Sequence, residues 1–345
     1  MTNAIWNLLN DLGKKEGITE ILINSPKNVF IERAGQFIQL SANLPPNDIA
    51  NFIKEVADLN QKVCDNDNPI LDGNLPDGSR INIISGPCVQ GSPAISIRKY
   101  LSSISSFDNN PAAFGLSPKW VEFMKAMIAS KLNIVVSGGT GVGKTTLLNL
   151  LINEIPKVER IITIEDTLEL SVRLPNIVRL ESGAKVLMSK SNLTTRDLVK
   201  NTLRMRPDRI IIGETRGAEL FDLLQAINTG HEGSMTSVHA NSGGECLSRM
   251  ENLFLLAGFE IPIVVVRKQM ATAINFIVQL GRDNNGQRVI TEIMEICGME
   301  GSVILTQTIA SREDGVLTFK GIAPKVFEIL HNRGGLNYNF FENMD

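Results

Sequence analysis

The sequence predicts an α/β protein of two domains, a smaller N-terminal one and a larger C-terminal one. Three observations carry this. At 345 residues, two domains are the natural expectation. From Ser117 onward, helical segments alternate with short apolar runs at Asn133–Ser137, Arg160–Glu165, Arg209–Gly213 and Ser234–His239. That alternation is the pattern of a parallel sheet with helices on both faces. The first of these runs leads directly into GGTGVGKTT, Gly138–Thr146, and then into a helical segment over Thr145–Ile155.

Ahead of this region, Ile21–Ile23, Val29–Ile31 and Phe37–Ile38 read as short strands, separated by Ser25–Asn28 and Ala34–Gly35. Ile49, Phe52, Ile53, Val56 and Ala57 follow helical spacing, with Asn47 or Asp48 as N-cap. Asp77-Gly78 marks a turn before a strand over Arg80–Ile84. Ser102–Pro111 is rich in Ser, Asn, Asp and Pro and reads as a linker. The expected division is therefore residues 1–101, a linker over 102–114, and 115–345. The segment from Gly335, GLNYNFFENMD, reads as a loosely held tail.

Composition narrows the function classes. A net charge of −3 supplies no global field to recruit nucleic acid. The four cysteines are widely spaced with no CxxC pair, which argues against a zinc module and fits a reducing cytoplasm. The N-terminus lacks the apolar core of a signal peptide, and the apolar run Ile263–Val266 is far short of a membrane span. Membrane association is thus expected only through partners.

Gly138, Gly143, Lys144 and Thr145 complete the phosphate-binding pattern GxxxxGK[ST], in the strand–loop–helix setting that the pattern requires. Its glycines let successive backbone N–H groups turn inward, and the helix N-terminus adds partial positive charge. Gly138, Thr140, Gly141, Val142, Gly143, Lys144, Thr145 and Thr146 are the expected nucleotide-binding residues. Lys144 is placed on the β- and γ-phosphates, and the Thr145 hydroxyl on Mg²⁺.

Three more runs end in polar or charged groups, at the strand ends where open α/β sheets collect their catalytic residues. Ile161–Ile164 ends in Glu165-Asp166, either near Mg²⁺ or the attacking water, or simply a solvated acidic turn. Arg209–Gly213 ends in Glu214, which could orient or deprotonate water, and which is also a candidate metal contact with Glu165. Gly213 stands where many phosphate-loop ATPases carry Asp. Thr229–His239 holds His231 and His239, each able to contact phosphate oxygens or to be a structural histidine. Arg216, or Arg80 and Arg98 of the N-terminal domain, would complete the charge on the phosphates, while Arg204, Arg206 and Arg209 fit interface salt bridges as well.

With these segments in order, the sequence resembles the secretion-superfamily ATPases of type II and type IV secretion and of type IV pili. GGTGVGKTT matches the family's Walker A box, TIEDTLEL (Thr163–Leu170) its Asp box, LRMRPDRIIIGETRG (Leu203–Gly217) its Walker B, and TGHEGSMTSVHAN (Thr229–Asn241) its His box. Within the superfamily the sequence looks most like the tight-adherence (Tad/Flp) pilus ATPases of the CpaF/TadA group, through LPDGSRINII, SPAISIRKY, LNIVVSGGTGVGKTTLLN, RDLVKNTLRMRPDRIIIGETRGAE and MATAINFIVQL. Type IV secretion traffic ATPases come next. Thr215 departs from the pattern, standing where an aliphatic residue is common.

The resemblance implies a RecA-like C-terminal domain and a PAS-like N-terminal domain. It implies ATP and Mg²⁺ as ligands, bound between the domains of a homohexamer. Glu214, supported by Glu165, would activate water, while Lys144, His239 and Arg216 would stabilise the γ-phosphate. The implied role is a cytoplasmic motor, peripheral at the inner membrane, that drives a platform protein to assemble or retract a Tad or type IV-like pilus. The alternative is a traffic ATPase of type IV secretion. A nucleotide-dependent scaffold without turnover, and a DNA-translocating RecA-like motor, are further from the residues present.

Overall fold

The computed structural model describes residues 3–15, 17–33, 36–99, 106–182, 193–258 and 260–343. They fall into two compact units, one ending at Lys99 and one beginning at Ser106. The expected linker therefore lies partly outside the described residues, at 102–105. Its described part is packed onto the second unit: Phe107 and Phe114 are buried there, and Lys125 pairs with Asp108 at 2.6 Å.

The first unit comprises α1 (Ala4–Gly13), β1 (Ile18–Ser25), β2 (Asn28–Arg33), β3 (Gln36–Leu40), α2 (Pro46–Leu59), β4 (Ile70–Asn74), β5 (Arg80–Ile84) and β6 (Ala94–Arg98). Its strands form one antiparallel sheet ordered β3-β2-β1-β6-β5-β4. Alternate residues Ile21, Ile23, Ile81, Ile83, Ile95 and Ile97 bury against Ile5, Leu12, Phe52 and Val56 of the helices, the period-two pattern of a sheet covered on one face. The expected cap of α2 is corrected. Pro45 is its N-cap, and Asp48 instead accepts the backbone N–H of Ala4 at 2.8 Å, tying α2 to α1.

The second unit contains α3 (Pro118–Ala129), β7 (Ile134–Gly138), α4 (Lys144–Asn153), β8 (Ile161–Glu165), β9 (Ile177–Glu181), α5 (Thr195–Thr202), β10 (Arg209–Ile212), α6 (Glu219–Asn228) and β11 (Met235–Val238). It continues with α7 (Gly243–Leu256), α8 (Ile263–Ala273), β12 (Phe276–Arg282), β13 (Arg288–Glu300), β14 (Val303–Glu313), β15 (Val316–Phe319) and α9 (Phe327–Asn332). The nine-stranded sheet runs β15-β14-β13-β12-β7-β11-β10-β8-β9. From β12 to β9 it is parallel. Ile134, Val136, Ile161 and Ile211 face α3 and α4, while Val135, Ile162, Ile210 and Ile212 face α5–α8. Being buried on both sides explains why these strands read as unbroken apolar runs.

Two features differ from expectation. The sheet continues through an antiparallel meander, β13–β15, which the alternating pattern upstream did not suggest. The C-terminal tail is not loose. Leu336 and Phe340 are buried, and the Phe341 ring packs on Phe123, Phe319, Phe327 and Phe340.

Candidate functional site: the phosphate loop and the strand ends around it

β7 is buried along its whole length and delivers the chain to Gly138 at the carboxyl edge of the sheet. The loop then turns into α4, whose N-cap is Gly143 at φ 99° with no side-chain cap. Only glycine adopts that backbone cheaply, and a Cβ there would meet the Phe114 ring at 2.9 Å. The first amides of α4 thus have no capping side chain and form an anion-binding terminus. Lys144 is buried and donates to the carbonyls of Gly138 and Gly139, each at 2.9 Å. Thr140 is exposed at the loop tip, Val142 is buried, and Gly141 and Thr146 are half-buried.

Next to the loop stands a carboxylate that the sequence reading quoted but assigned no role. The Thr145 hydroxyl donates to Glu169 Oε2 at 3.1 Å. Glu169 is held by Glu165, whose Oε1 accepts the backbone N–H groups of Glu169 and Leu170, both at 2.7 Å. Burial pushes the Glu165 carboxyl above its usual range, against those two N–H groups and Arg179. Its Oε2 is buried without a hydrogen-bond donor among the described residues, 3.7 Å from Arg179. Gly213 makes room for it, since a Cβ there would meet Glu165 Cγ at 3.1 Å. Glu165 therefore folds the acidic turn and presents Glu169, and Gly213 has a steric reason where Asp was the comparison.

Glu214 lies one residue beyond, at the tip of β10. Its Oε2 accepts from Arg216 Nη2 at 2.6 Å. Its Oε1 is 2.7 Å from His239 Nε2, and apart from that ring the buried Oε1 has no hydrogen-bond donor among the described residues. His239 in turn lies beside Lys144 Nζ, with Nδ1 at 3.2 Å and Nε2 at 3.3 Å. Burial first, then the Lys144 charge, lowers the His239 pKa below 6.5 despite Glu214. Arg216 also approaches Asp166 Oδ2 at 3.5 Å. Lys144, His239, Glu214 and Arg216, drawn from three strand ends, thus form one contiguous group.

Thr215 has a partner as well. Its hydroxyl is buried 2.6 Å from that of Thr236 on β11, so the departure from the aliphatic pattern is matched across the sheet. Arg282, at the end of β12, donates to the carbonyl of Gly141 at 3.1 Å. No local signal announces Arg282, because it reaches the loop through the parallel pairing of β12 with β7, where Leu280 lies opposite Gly138.

Other expected residues lie elsewhere. His231 sits before β11, at the opposite end of that strand from His239, with Nδ1 3.0 Å from the Ala226 carbonyl. It does not join the group around Lys144, because the strand between the two histidines carries them apart. Arg209 is at the start of β10, fully buried on Glu159. Arg80 and Arg98 belong to the first unit, as direct cross-strand partners beside Glu20, Asn82 and Ser96 around a cavity of about 170 Å³.

The residues present fit a nucleoside triphosphate with a divalent cation: uncapped amides and Lys144 for phosphate, the Thr145 hydroxyl and Glu169 carboxylate for the metal. Among the described residues no cluster of three or more His, Cys, Asp and Glu side chains could hold a metal alone, so phosphate oxygens and water would complete its shell. No described helix is long and apolar enough to cross a membrane.

A family model described as "Type II/IV secretion system protein" matches residues 7–334. The chain is 34% identical over 301 residues to the conjugal transfer protein TrbB of Rhizobium radiobacter, covering 86% of this chain and 89% of that one. It is 31% identical over 303 residues to a putative conjugal transfer protein of Mycobacterium tuberculosis, covering 86% of each. It is 31% identical over 321 residues to the type IV secretion system protein VirB11 of Bartonella henselae, covering 81% and 88%. Among solved structures, the pilus retraction motor PilT with bound ADP matches at TM-score 0.60 and 22% identity, over 84% of this chain and 81% of that one. The ATPase DotB of Legionella pneumophila matches at TM-score 0.59 and 19% identity, over 86% and 81%. At those identities the two structures bear on the fold, a mixed α/β fold with a RecA-like C-terminal domain.

Proposed function

Because the chain belongs to the type II/IV secretion system protein family, we propose that it is an ATP-hydrolysing motor serving a type IV secretion or conjugal transfer apparatus. The observation that carries the hydrolytic reading is the Glu214 carboxylate at the tip of β10. Its buried Oε1 touches His239 of the Lys144–His239 pair at 2.7 Å and, apart from that ring, has no hydrogen-bond donor among the described residues.

The chemistry follows from the residues. Lys144 exchanges its carbonyl contacts for the β- and γ-phosphate oxygens, while the α4 amides and Thr146 line the remaining phosphates. A divalent cation, when bound with the nucleotide, supplies positive charge on those oxygens, and Thr145 and Glu169 are the residues to hold it. Glu214 Oε1 accepts a hydrogen bond, and then the proton, from the attacking water. His239, neutral at pH 7 by the direction of its shift, can donate to the transferring phosphoryl group. Arg216 leaves Glu214 to neutralise the same oxygens, or an arginine of a neighbouring subunit does so. Arg80 and Arg98 of the first unit are proposed as further phosphate contacts in a homohexamer that acts on an inner-membrane platform protein.

The apparatus is chosen from the relatives, whose names are of conjugal transfer and type IV secretion proteins. The tight-adherence pilus is the second reading, favoured by the segments LPDGSRINII and RDLVKNTLRMRPDRIIIGETRGAE. Lys144→Ala should abolish nucleotide binding in an equilibrium titration with Mg-ATP. When this variant replaces the wild-type copy in the host, the proposal expects loss of conjugal or effector transfer. Loss of pili with intact transfer would select the second reading, and undiminished ATP binding by Lys144→Ala would defeat the site assignment itself.

A further inference from the structure

We infer that Glu219 is a positioning residue of this site: its carboxylate clamps the backbone at the tip of β10 and so holds Glu214 and Arg216 in register. The inference rests on the ATPase reading above and adds a residue to it. Glu219 opens α6, and its side chain folds back over the preceding loop. Oε1 accepts the backbone N–H of Arg216 at 2.6 Å and that of Gly217 at 2.7 Å. The side chain is buried, and Gly217 lies so close that a Cβ there would meet Glu219 Oε2 at 3.2 Å.

The other half of the same loop is held by β11. Thr215 N–H donates to the Ser237 carbonyl at 2.9 Å, and the Ser237 hydroxyl donates to the Gly213 carbonyl at 2.7 Å. The Thr215 and Thr236 hydroxyls pair at 2.6 Å. Every residue from Gly213 to Gly217 except Glu214 is therefore pinned through its backbone, and Glu214 sits between two pinned neighbours. Arg216 is exposed at its guanidinium yet fixed at its N–H. Its guanidinium meets Glu214 Oε2 at 2.6 Å and Asp166 Oδ2 at 3.5 Å, so the anchored backbone sets the origin from which that side chain reaches Glu214. Charge-assisted bonds from two N–H groups to one carboxylate oxygen are among the stronger ones a loop can have. Small displacements of a charged group at a phosphoryl-transfer site cost large factors in rate.

The test compares Glu219→Ala with Glu219→Gln in the full chain. Glutamine keeps an acceptor oxygen at the same reach, and alanine removes it. Glu219→Ala is expected to lower kcat for ATP by about 10- to 100-fold with KM changed less than about threefold, the signature of misplaced catalytic groups. Glu219→Gln should recover most of the turnover. Placed on Arg216→Ala, the Glu219→Ala change should cost less than it does alone, because the part that acts through Arg216 is already lost. Amide hydrogen exchange over residues 213–218 should accelerate in Glu219→Ala and stay slow in Glu219→Gln. Unchanged kcat in Glu219→Ala, or equal loss in both variants, overturns the inference. If the wild-type protein shows no turnover, the ATPase reading fails, and the exchange rates still decide whether the clamp exists: unaltered exchange in Glu219→Ala removes it.

Discussion

His239 shows how one side chain can link two functions. Its ring lies against Lys144 and Glu214, a cation on one side and an anion on the other. Burial and the lysine outweigh the carboxylate, so the folded ring holds its proton less firmly than an unfolded one. The sign follows from linkage. As pH falls through the ordinary imidazole range, near pH 6.5, the unfolded chain takes up the proton first and folding stability is lost. Replacing His239 by Gln removes that loss. The melting temperature of wild type relative to His239→Gln should therefore drop between about pH 7.5 and 5.5. A difference independent of pH would contradict the assigned direction. At this scale the sequence was informative where chemistry is local, as at Lys144 and Thr145. It was blind to Glu169, whose address depends on a turn folded by two bonds to Glu165.

Elements explain why neighbours in sequence part company. His231 and His239 flank β11, and the strand carries them to opposite edges of the sheet. Arg209 and Glu214 are separated by β10 in the same way. Arg209 donates to Glu159 through Nε at 2.8 Å and Nη2 at 3.0 Å, and to the Ile128 carbonyl at 2.8 Å, joining β10 to α3. Burial alone would raise the Glu159 carboxyl, but Arg209 and Lys131 hold it below its usual range. Its stabilising pair is therefore present above the ordinary carboxylate pKa and lost as pH falls through the lowered one. Arg209→Met should destabilise the second unit by about 1–3 kcal/mol in urea unfolding, since a buried carboxylate loses two donors and keeps Lys131 at 3.4 Å. The paired change Arg209→Met with Glu159→Leu should recover much of it. A loss below about 1 kcal/mol for the single change would show that water already reaches the pair. The strand runs themselves were legible, because strands buried on both faces leave continuous apolar stretches. The helix cap at Pro45 was not, because Asp48 is used by another element.

Across the whole molecule, the α/β class with a smaller N-terminal and a larger C-terminal part was legible from length and strand pattern. The parallel half of the large sheet followed from alternation of strands and helices. Its antiparallel part did not, since the hairpins β12–β13, β13–β14 and β14–β15 are local but their attachment to the parallel sheet rests on the distant pairing of β12 with β7. The tail was misread because its aromatic residues, Phe340 and Phe341, bury into a core formed two hundred residues earlier in the chain. What unites the molecule functionally is that β7, β10 and β11 end together, bringing Lys144, Glu214 and His239 to one point. The most direct test of that claim is turnover and binding of Mg-ATP by Glu214→Gln, assembled as the wild-type protein assembles. Binding within a few-fold of wild type, with phosphate release slower by about 10² or more, is the predicted result for loss of the residue that takes the water proton. Near-normal phosphate release would contradict it and move the role to Glu169, the other carboxylate beside the loop.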